Sequence, residues 1–350
     1  MLYILMSLTL IIAGCAYFFS GGKITNKELL VQLGIVNSLL VLFWVIGNLS
    51  LSLDTEILNG KVVDKQRNRV SCEHSYSCNC RQVCSGSGDK KTCSTVCQTC
   101  YEHSYDVDWD VYTSVGNFSI EREDRQGLIQ PKRYTDVIIG EPAAREHIFR
   151  NYIKAAKDSL FNNKEIESKY SVPDYPSVFD YYRANNVIVN GNPHVDVKSY
   201  NTLLRDQLKV LGAKKQVNII LIFTSVSSQD YAVAVRNKWL GGKKNDVVVV
   251  IGTQDGKIPM WANVFSWSTN DLVNTTIRND VIEQNDLTPE KLVATISTDV
   301  NKHFVRKPME DYEYLKNSVE PPLWCVILCV LITVGGSVGL SVFFYKRNVF

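Results

Sequence analysis

The chain has 350 residues, of which 45% are hydrophobic and 21% charged, and its formal net charge is +2. This length leaves room for about two domains. A charge so close to balance, with no basic stripe, gives no indication of nucleic acid as a partner. Seven of the ten cysteines fall between Cys72 and Cys100, a density that indicates disulfides or a bound metal.

Three stretches without charged side chains predict transmembrane helices, at about residues 1–19, 29–53 and 321–345. Each is long enough to cross a bilayer as a helix. Gln32 and Asn37 lie inside the second stretch, where amide side chains are typical of helix–helix contacts rather than of an ion pathway.

The positive charges next to these stretches predict the topology. Lys346 and Arg347 follow the third stretch, and Lys23 and Lys27 lie between the first two. Because such charges prefer the cytoplasm, residues 346–350 form a predicted cytoplasmic tail and residues 54–320 lie outside the cytoplasm. The alternative, a cleaved signal peptide at residues 1–20, is disfavoured because the first residues carry no Lys or Arg.

Residues 54–140 predict a small cysteine-rich β domain, with strands at about 56–63, 105–111, 112–122 and 134–139. Asp106, Asp108 and Asp110 alternate with apolar residues, which favours a solvated strand face over a calcium loop.

Two interpretations of the cysteines stay open. In one, the cysteines form disulfides, which the predicted location outside the cytoplasm favours, and one thiol of the seven is left over. In the other, spacing favours structural zinc held by Cys78, Cys80, Cys97 and Cys100. Further zinc ligands would come from Cys72, His74, Cys84, Cys93 and His103. Either way, we expect the cysteines to stabilise the fold rather than to perform chemistry.

Residues 141–320 predict an α/β domain built around a strand at 217–226, a helix at 230–240, a strand at 246–252 and a hairpin through residues 254–256 to a third strand. Flanking patterns predict a strand at 187–189 and four helices, at 143–157, 199–211, 270–284 and 288–304. Strands covered by helices in this way form a three-layer α/β sandwich.

This segment resembles the TPM domain family over roughly residues 140–310. The resemblance lies in the strand sequences VNIILIFTSV and VVVVIG and in the segments 207–209, 239–246 and 255–257. It implies a membrane-anchored α/β domain outside the cytoplasm, in a family of thylakoid-lumen, exported bacterial and receptor-accessory proteins, some of them reported as phosphatases. The chain departs from the family's usual pattern at 244–246, where an Asp-Asn-Gly triplet is common, and at 262–265, where a glycine-rich acidic segment is common.

The best cluster of polar side chains for chemistry lies at the predicted strand ends, where open α/β sheets bind ligands. Ser228 and Asp230 follow the first central strand and Asp255 follows the second, so together they are candidates to hold a divalent cation or a phosphate group. The alternative is structural: Ser228 and Asp230 cap the helix and Asp255 makes the turn.

The function expected from the sequence is that of an integral membrane protein whose extracytoplasmic TPM-like domain acts as an interaction or accessory module of a membrane-associated complex. Its expected partners are the lipid bilayer and a protein in or near the membrane, with a second copy of the chain as another candidate. One alternative is a membrane-anchored phosphatase or metal-dependent hydrolase. Another is a zinc-ribbon membrane protein whose soluble part is cytoplasmic.

Overall fold

The structure is a computed structural model that describes residues 1–85, 92–155 and 169–347. The described chain divides into two compact units. We call the first, which comprises residues of 1–55, 148–164 and 308–350, the membrane-helix unit. The second, which comprises residues of 56–147 and 165–307, is the sheet unit.

Three helices of the membrane-helix unit are long and apolar enough to cross a membrane, as in a multi-pass membrane protein. They are α1 (Leu2–Phe19), α2 (Asn26–Ser52) and the span Leu323–Arg347. Helix α2 begins before its apolar stretch because Thr25 and Glu28 form a capping box, in which each side chain accepts a hydrogen bond from the other residue's backbone N–H.

The amides inside α2 behave differently from each other. Gln32 is buried, and its Nε2 donates to Ser337 O at 2.8 Å and Ser341 Oγ at 2.9 Å on the third span. This is the helix–helix contact that the sequence predicts. Asn37 makes no such contact with another described helix, and its Nδ2 donates to Leu33 O of its own helix at 2.9 Å.

The first sheet of the sheet unit has four strands in the order β5-β4-β1-β6. They are β1 (Leu53–Val70), β4 (Asp106–Thr113), β5 (Gly116–Ile120) and β6 (Pro142–Arg150). Strand β4 runs antiparallel to both of its neighbours. Branched and aromatic side chains at alternate positions form the core beneath it, including Val107, Trp109 and Val111.

Two predictions within this region are wrong. Residues 142–150 form the strand β6, where the sequence predicts a helix. Backbone hydrogen bonds just before this segment tie it to β1. Val62 N donates to Glu141 O and Gly140 N donates to Val62 O, each at 2.9 Å. Tertiary pairing therefore overrides the helical spacing. Only the short α4 (Tyr152–Ala155) of that prediction is helical among the described residues, and the prediction's last residues, 156 and 157, lie outside them. The predicted strand 134–139 is wrong as a whole, because Lys132–Thr135 forms the single-turn helix α3 and residues 136–139 are turn and irregular structure.

The cysteine-rich segment forms a separate hairpin between β1 and β4. Its strands β2 (Ser75–Ser85) and β3 (Thr92–Tyr101) are antiparallel and form a two-stranded sheet of their own. Almost all of β2 is exposed to solvent. We call this pair of strands, residues 75–85 and 92–101, the cysteine hairpin.

The second large sheet has the order β12-β11-β10-β9. Strands β9 (Val187–Asn190), β10 (Asn218–Thr224) and β11 (Asp246–Gly252) are parallel, and β12 (Trp261–Ser266) returns antiparallel to β11, as the hairpin sequence predicts. Every residue of β10 and β11 is buried, which explains their unbroken apolar sequences. A short strand pair, β7 (Val178–Phe179) and β8 (Arg183–Ala184), precedes this sheet.

Helices cover both faces of this sheet. Ile219, Leu221 and Phe223 face the helices α5 (Val197–Lys215), α7 (Leu272–Ile282) and α8 (Pro289–His303). The alternate residues Ile220 and Ile222 face α6 (Asp230–Lys238). The mixed α/β class and the three layers are therefore present, while the likeness to the TPM family stays a prediction.

Helix α5 continues past Gly212, where the sequence predicts its end. A Cβ at Gly212 would collide with the backbone carbonyl of Asn59 on β1, so the glycine permits the strand to approach the helix closely.

A 3₁₀ helix (Met309–Ser318) follows α8, and the third apolar span consists of α9 (Leu323–Leu331), a π-helical turn (Ile332–Gly336) and α10 (Ser337–Arg347).

Candidate metal centre

Six of the seven clustered cysteines are paired as disulfides across the cysteine hairpin. The pairs are Cys78–Cys100, Cys80–Cys97 and Cys84–Cys93. A sulfur in a disulfide is not a thiolate and does not bind zinc. Cys78, Cys80, Cys97 and Cys100, which spacing alone also places in a zinc site, therefore form disulfides in the structure.

The seventh cysteine, Cys72, is a buried free thiol beside a histidine and a carboxylate. Its Sγ lies 3.7 Å from Nδ1 of His103. The same Nδ1 lies 3.2 Å from Oδ1 of Asp106. In the part of the chain that the structure describes, this is the one group of three His, Cys, Asp or Glu side chains whose ligand atoms all lie within 4.8 Å of one another.

The base of the cysteine hairpin brings these residues together. Asp106 is the first residue of β4 and pairs with Val70, the last residue of β1, so the chain leaves and re-enters the four-stranded sheet at one place. Cys72 lies just after the exit and His103 just before the return. Glu102 N donates to His74 O at 3.0 Å and closes the hairpin's base.

The carboxylate of Asp106 is held by its other oxygen. Oδ2 accepts from Glu73 N at 3.0 Å and from Arg122 NH1 at 3.1 Å. The backbone N–H of Glu73 lowers the pKa of Asp106 most strongly; Cys72, His103 and Arg122 lower it further, against the raising effect of burial. Asp106 is therefore ionised at neutral pH, and its Oδ1 remains directed at His103.

This arrangement does not have the geometry of a cysteine-protease triad. In a triad the histidine takes the thiol proton with one ring nitrogen while the acid holds the other nitrogen. Here the Cys72 sulfur and the Asp106 carboxylate both approach Nδ1 of His103. Three ligand atoms that converge on one point suit a shared ion instead.

Sequence reasoning finds two members of this group and misses the third. Cys72 and His103 are both among the residues suggested as further zinc ligands. His74 is also among them, but it contributes only its backbone oxygen, 3.6 Å from Cys72 Sγ. Asp106 is fully buried, although the alternating pattern assigns it to a solvated face. Its place next to the hairpin's return is the only signal in the sequence that distinguishes it from Asp108 and Asp110.

The polar side chains at the strand ends of the α/β sheet serve the local backbone. Ser228 Oγ accepts from Asp230 N at 3.2 Å at the start of α6. Asp255 Oδ1 accepts from Lys257 N at 2.9 Å and Ile258 N at 3.0 Å, and these N–H groups lower the pKa of Asp255. Asp255 makes the turn, as in the structural alternative. The N-cap residue of α6 is Gln229, and among the described residues no side chain caps this helix, so the capping role of Ser228 and Asp230 is not found. A cation or phosphate site at these residues stays a prediction.

A cavity of about 190 Å³ lies where β1, β6 and α5 meet. Its charged side chains are engaged with other protein groups: Arg183 with Asp180, Lys209 with Asp206, Glu141 with the hydroxyl of Tyr182, and Arg205 with Ala184 O and Asn185 Oδ1. The cavity is therefore a weaker candidate for a ligand site than the group around His103.

Comparison of the chain with known protein families, with curated proteins and with solved structures finds no match. The structure by itself defines a chain with three membrane-length apolar helices, a unit of two large sheets and a disulfide-linked hairpin.

Proposed function

We propose that this protein is a multi-pass membrane protein that displays its sheet unit outside the cytoplasm, as an interaction module for a protein in or near the membrane. The observation that carries the proposal is the set of three disulfides in the exposed cysteine hairpin. Disulfides form and persist in oxidising compartments and are rare in the cytosol. This chemistry supports the same side of the membrane as the Lys and Arg residues near the membrane helices.

An interaction role is supported by the form of the cysteine hairpin. Large apolar side chains on it remain exposed, namely Tyr76, Val83, Val96 and Tyr101, at 52%, 42%, 49% and 57% of their full accessibility. Aromatic side chains are enriched at protein–protein interfaces. The disulfides hold the hairpin in one shape before binding, which lowers the entropic cost of association.

The hydrolase alternative has less support. The backbone N–H groups of Lys257 and Ile258 bind the Asp255 carboxylate, and Asp230 begins a helix. The described residues of the α/β sheet also lack a group of three metal-ligating side chains. Phosphatase activity of the purified chain that is lost in both Asp230→Asn and Asp255→Asn would favour the alternative.

Thiol labelling on intact cells tests the topology. A membrane-impermeant maleimide is applied to cells that express the full chain, before and after mild reduction. We expect a large gain in labelling after reduction, because six sulfurs become free on the outer side. A variant with all six paired cysteines changed to serine is the control and should show no gain. If the gain requires permeabilised cells, the sheet unit is cytoplasmic and the proposal fails.

Site-specific photo-crosslinking in living cells tests the interaction role. A photoreactive residue at Tyr76 on the cysteine hairpin should give one discrete product, and the product should disappear when the six paired cysteines are changed to serine. The matched control is Ile258, which is 57% exposed but lies in the turn before β12. Equal products from both positions, or none from Tyr76, would count against the hairpin as the contact surface.

A further inference from the structure

We propose that Cys72, His103 and Asp106 bind one zinc ion at the base of the cysteine hairpin. The ligands are the thiolate Sγ, the ring Nδ1 and the carboxylate Oδ1, and water occupies the fourth position. This site differs from the cysteine-only zinc site that spacing suggests, and it does not depend on the side of the membrane on which the sheet unit lies.

Two of the three distances between the ligand atoms are close to those of a zinc tetrahedron, and the third, from Cys72 Sγ to an Asp106 carboxylate oxygen, is at most 4.8 Å. With Zn–S near 2.3 Å and Zn–N and Zn–O near 2.1 Å, tetrahedral angles place sulfur about 3.6 Å from nitrogen and nitrogen about 3.4 Å from oxygen. The corresponding separations are 3.7 Å for Cys72 Sγ to His103 Nδ1 and 3.2 Å for His103 Nδ1 to Asp106 Oδ1. Little movement of the side chains is therefore needed to admit the ion.

The ligand types favour zinc over calcium and magnesium. Calcium and magnesium prefer oxygen ligands alone, whereas one sulfur, one nitrogen and one oxygen suit zinc. On binding, the Cys72 thiol releases its proton to water and a Zn–S bond forms, while His103 donates the lone pair of Nδ1. The thiolate and the carboxylate together balance the charge of the ion.

The groups around Asp106 leave one oxygen available for the ion. Glu73 N and Arg122 NH1 both bind Oδ2, so Oδ1 is the oxygen that faces His103. Arg122 is itself fixed by Asp108, whose Oδ1 lies 2.6 Å from NH2. Supporting hydrogen bonds of this kind orient metal-binding carboxylates.

Burial and access both fit a bound ion. Cys72 is 7% exposed and Asp106 is fully buried. The His103 side chain is 25% exposed, so the ion and its water can reach the site from that side. Zinc also accounts for the odd thiol, since Cys72 is left over after the other six clustered cysteines pair.

The proposed ion joins residues on both sides of the hairpin's base. Cys72 follows β1, and His103 and Asp106 lead into β4. Zinc at this point fixes the direction in which the hairpin leaves the four-stranded sheet. Zinc removal should therefore loosen the hairpin while the sheet beneath it stays folded.

The test uses the full chain, purified in detergent under non-reducing conditions and stripped with a chelator. Zinc is titrated against a chromophoric competitor, and bound metal is counted by mass spectrometry after buffer exchange. We expect one zinc per chain. Cys72→Ser and His103→Ala should each weaken binding by more than the roughly 10–100-fold typical of losing an outer-shell partner. Arg122→Gln should fall within that smaller range.

His74→Ala is the matched control, because His74 is near Cys72 in sequence but its ring is not in the group. It should bind zinc as the unchanged chain does. Cobalt in place of zinc should give a thiolate-to-metal charge-transfer band that is absent in Cys72→Ser. Circular dichroism of every variant reports whether it is folded.

Three results would overturn the site: no zinc bound by the folded, oxidised chain; unchanged binding in Cys72→Ser and His103→Ala; or zinc bound only after reduction, and equally in Cys72→Ser. The last result would assign zinc to the reduced hairpin cysteines instead. Each result is independent of the labelling experiment, so the zinc site and the membrane topology can fail separately.

Discussion

The carboxylate of Glu56 and the guanidinium of Arg306 form an ion pair across 250 residues of the chain. Arg306 NH2 lies 2.6 Å from Oε1 and 2.8 Å from Oε2 of Glu56. Glu56 is fully buried. The two residues lie near the first and last positions of the sheet unit in sequence, so this pair joins its two ends.

Two further nitrogen-bearing side chains approach the same carboxylate. His147 Nδ1 is 3.0 Å and Lys244 Nζ is 3.5 Å from Glu56 Oε1. These contacts connect β1 with β6, with the loop before β11 and with the segment after α8. A buried carboxylate that lost its partners would carry an uncompensated charge. That loss destabilises the fold by more than each intact ion pair stabilises it.

We therefore predict that Arg306→Gln destabilises the protein. Removing one partner of a buried pair typically costs about 3–5 kcal/mol, and we expect roughly 2–3 kcal/mol here because His147 and Lys244 remain. Thermal unfolding of the full chain in detergent measures the effect. Arg278→Gln is the control, since Arg278 is exposed and, among the described residues, hydrogen bonds only to neighbouring Asn279. Equal melting temperatures for the two variants would contradict this role of Arg306.

The stability of the sheet unit should depend on pH through Asp299 on α8. Burial raises the pKa of Asp299 to about 6 from its ordinary 3.8, and the nearby carboxylate of Asp280 adds to the rise, while Lys302 opposes it. Among the described residues, no donor reaches its Oδ2. Because the folded chain holds this proton more tightly than the unfolded chain, stability contributed by Asp299 is lost as the pH rises from about 4 to about 6.

Asp299→Asn should remove this loss. At pH 7.5 the variant should be more stable than the unchanged chain by on the order of 1 kcal/mol, a value reduced from 1.36 kcal/mol per pKa unit because solvent and Lys302 screen the charge. Near pH 4 the two should be equal. Denaturant titrations at both pH values measure the difference. A gain that is the same at both would show that the charge of Asp299 is not its cause.

The sequence predicts the central α/β layer well because local and tertiary preferences agree there. Val247–Ile251 are apolar on both sides of the strand, and the structure buries both sides. Local and tertiary preferences disagree at residues 143–150. The spacing of Ile148 and Tyr152 is that of a helix, but pairing beside β1 makes the segment a strand.

The candidate metal centre is only partly predictable, for a similar reason. Cys72 and Asp106 are 34 positions apart, and their meeting depends on the register that pairs Val70 with Asp106. A sequence pattern reports which face of a strand a residue is on. It does not report that a hairpin folds over the end of that strand.

The cysteine hairpin should depend on its disulfides more than the rest of the sheet unit does. Within the described parts of the chain, strands β2 and β3 pair only with each other, and a lone two-stranded hairpin is marginally stable in water. We expect the double change Cys80→Ser and Cys97→Ser to speed proteolytic cleavage within residues 75–101 and to leave the melting temperature of the sheet unit nearly unchanged. Limited proteolysis with mapping of the cut sites measures this. Cleavage that begins in β10 or β11 would show that the hairpin supports the whole unit.

Packing between α2 and the third apolar span should depend on Gly47. A Cβ at Gly47 would lie 2.5 Å from Cys325 Sγ and 3.0 Å from Cys325 Cβ, so Gly47→Ala requires the Cys325 side chain or the helix that carries it to shift. Overpacking of this kind typically costs about 1–3 kcal/mol. Gly34 on the same helix is the matched control, because nothing lies within 4 Å of a Cβ placed there.

Thermal stability of the full chain in detergent, followed by size-exclusion of the heated samples, measures the folded fraction. Gly47→Ala should lose it at a lower temperature than Gly34→Ala. Adding Cys325→Ala to Gly47→Ala removes the sulfur that the new methyl group meets, and should restore part of the loss. If both glycine variants melt together, or if the second change gives no recovery, the close contact between Gly47 and Cys325 does not hold these helices together.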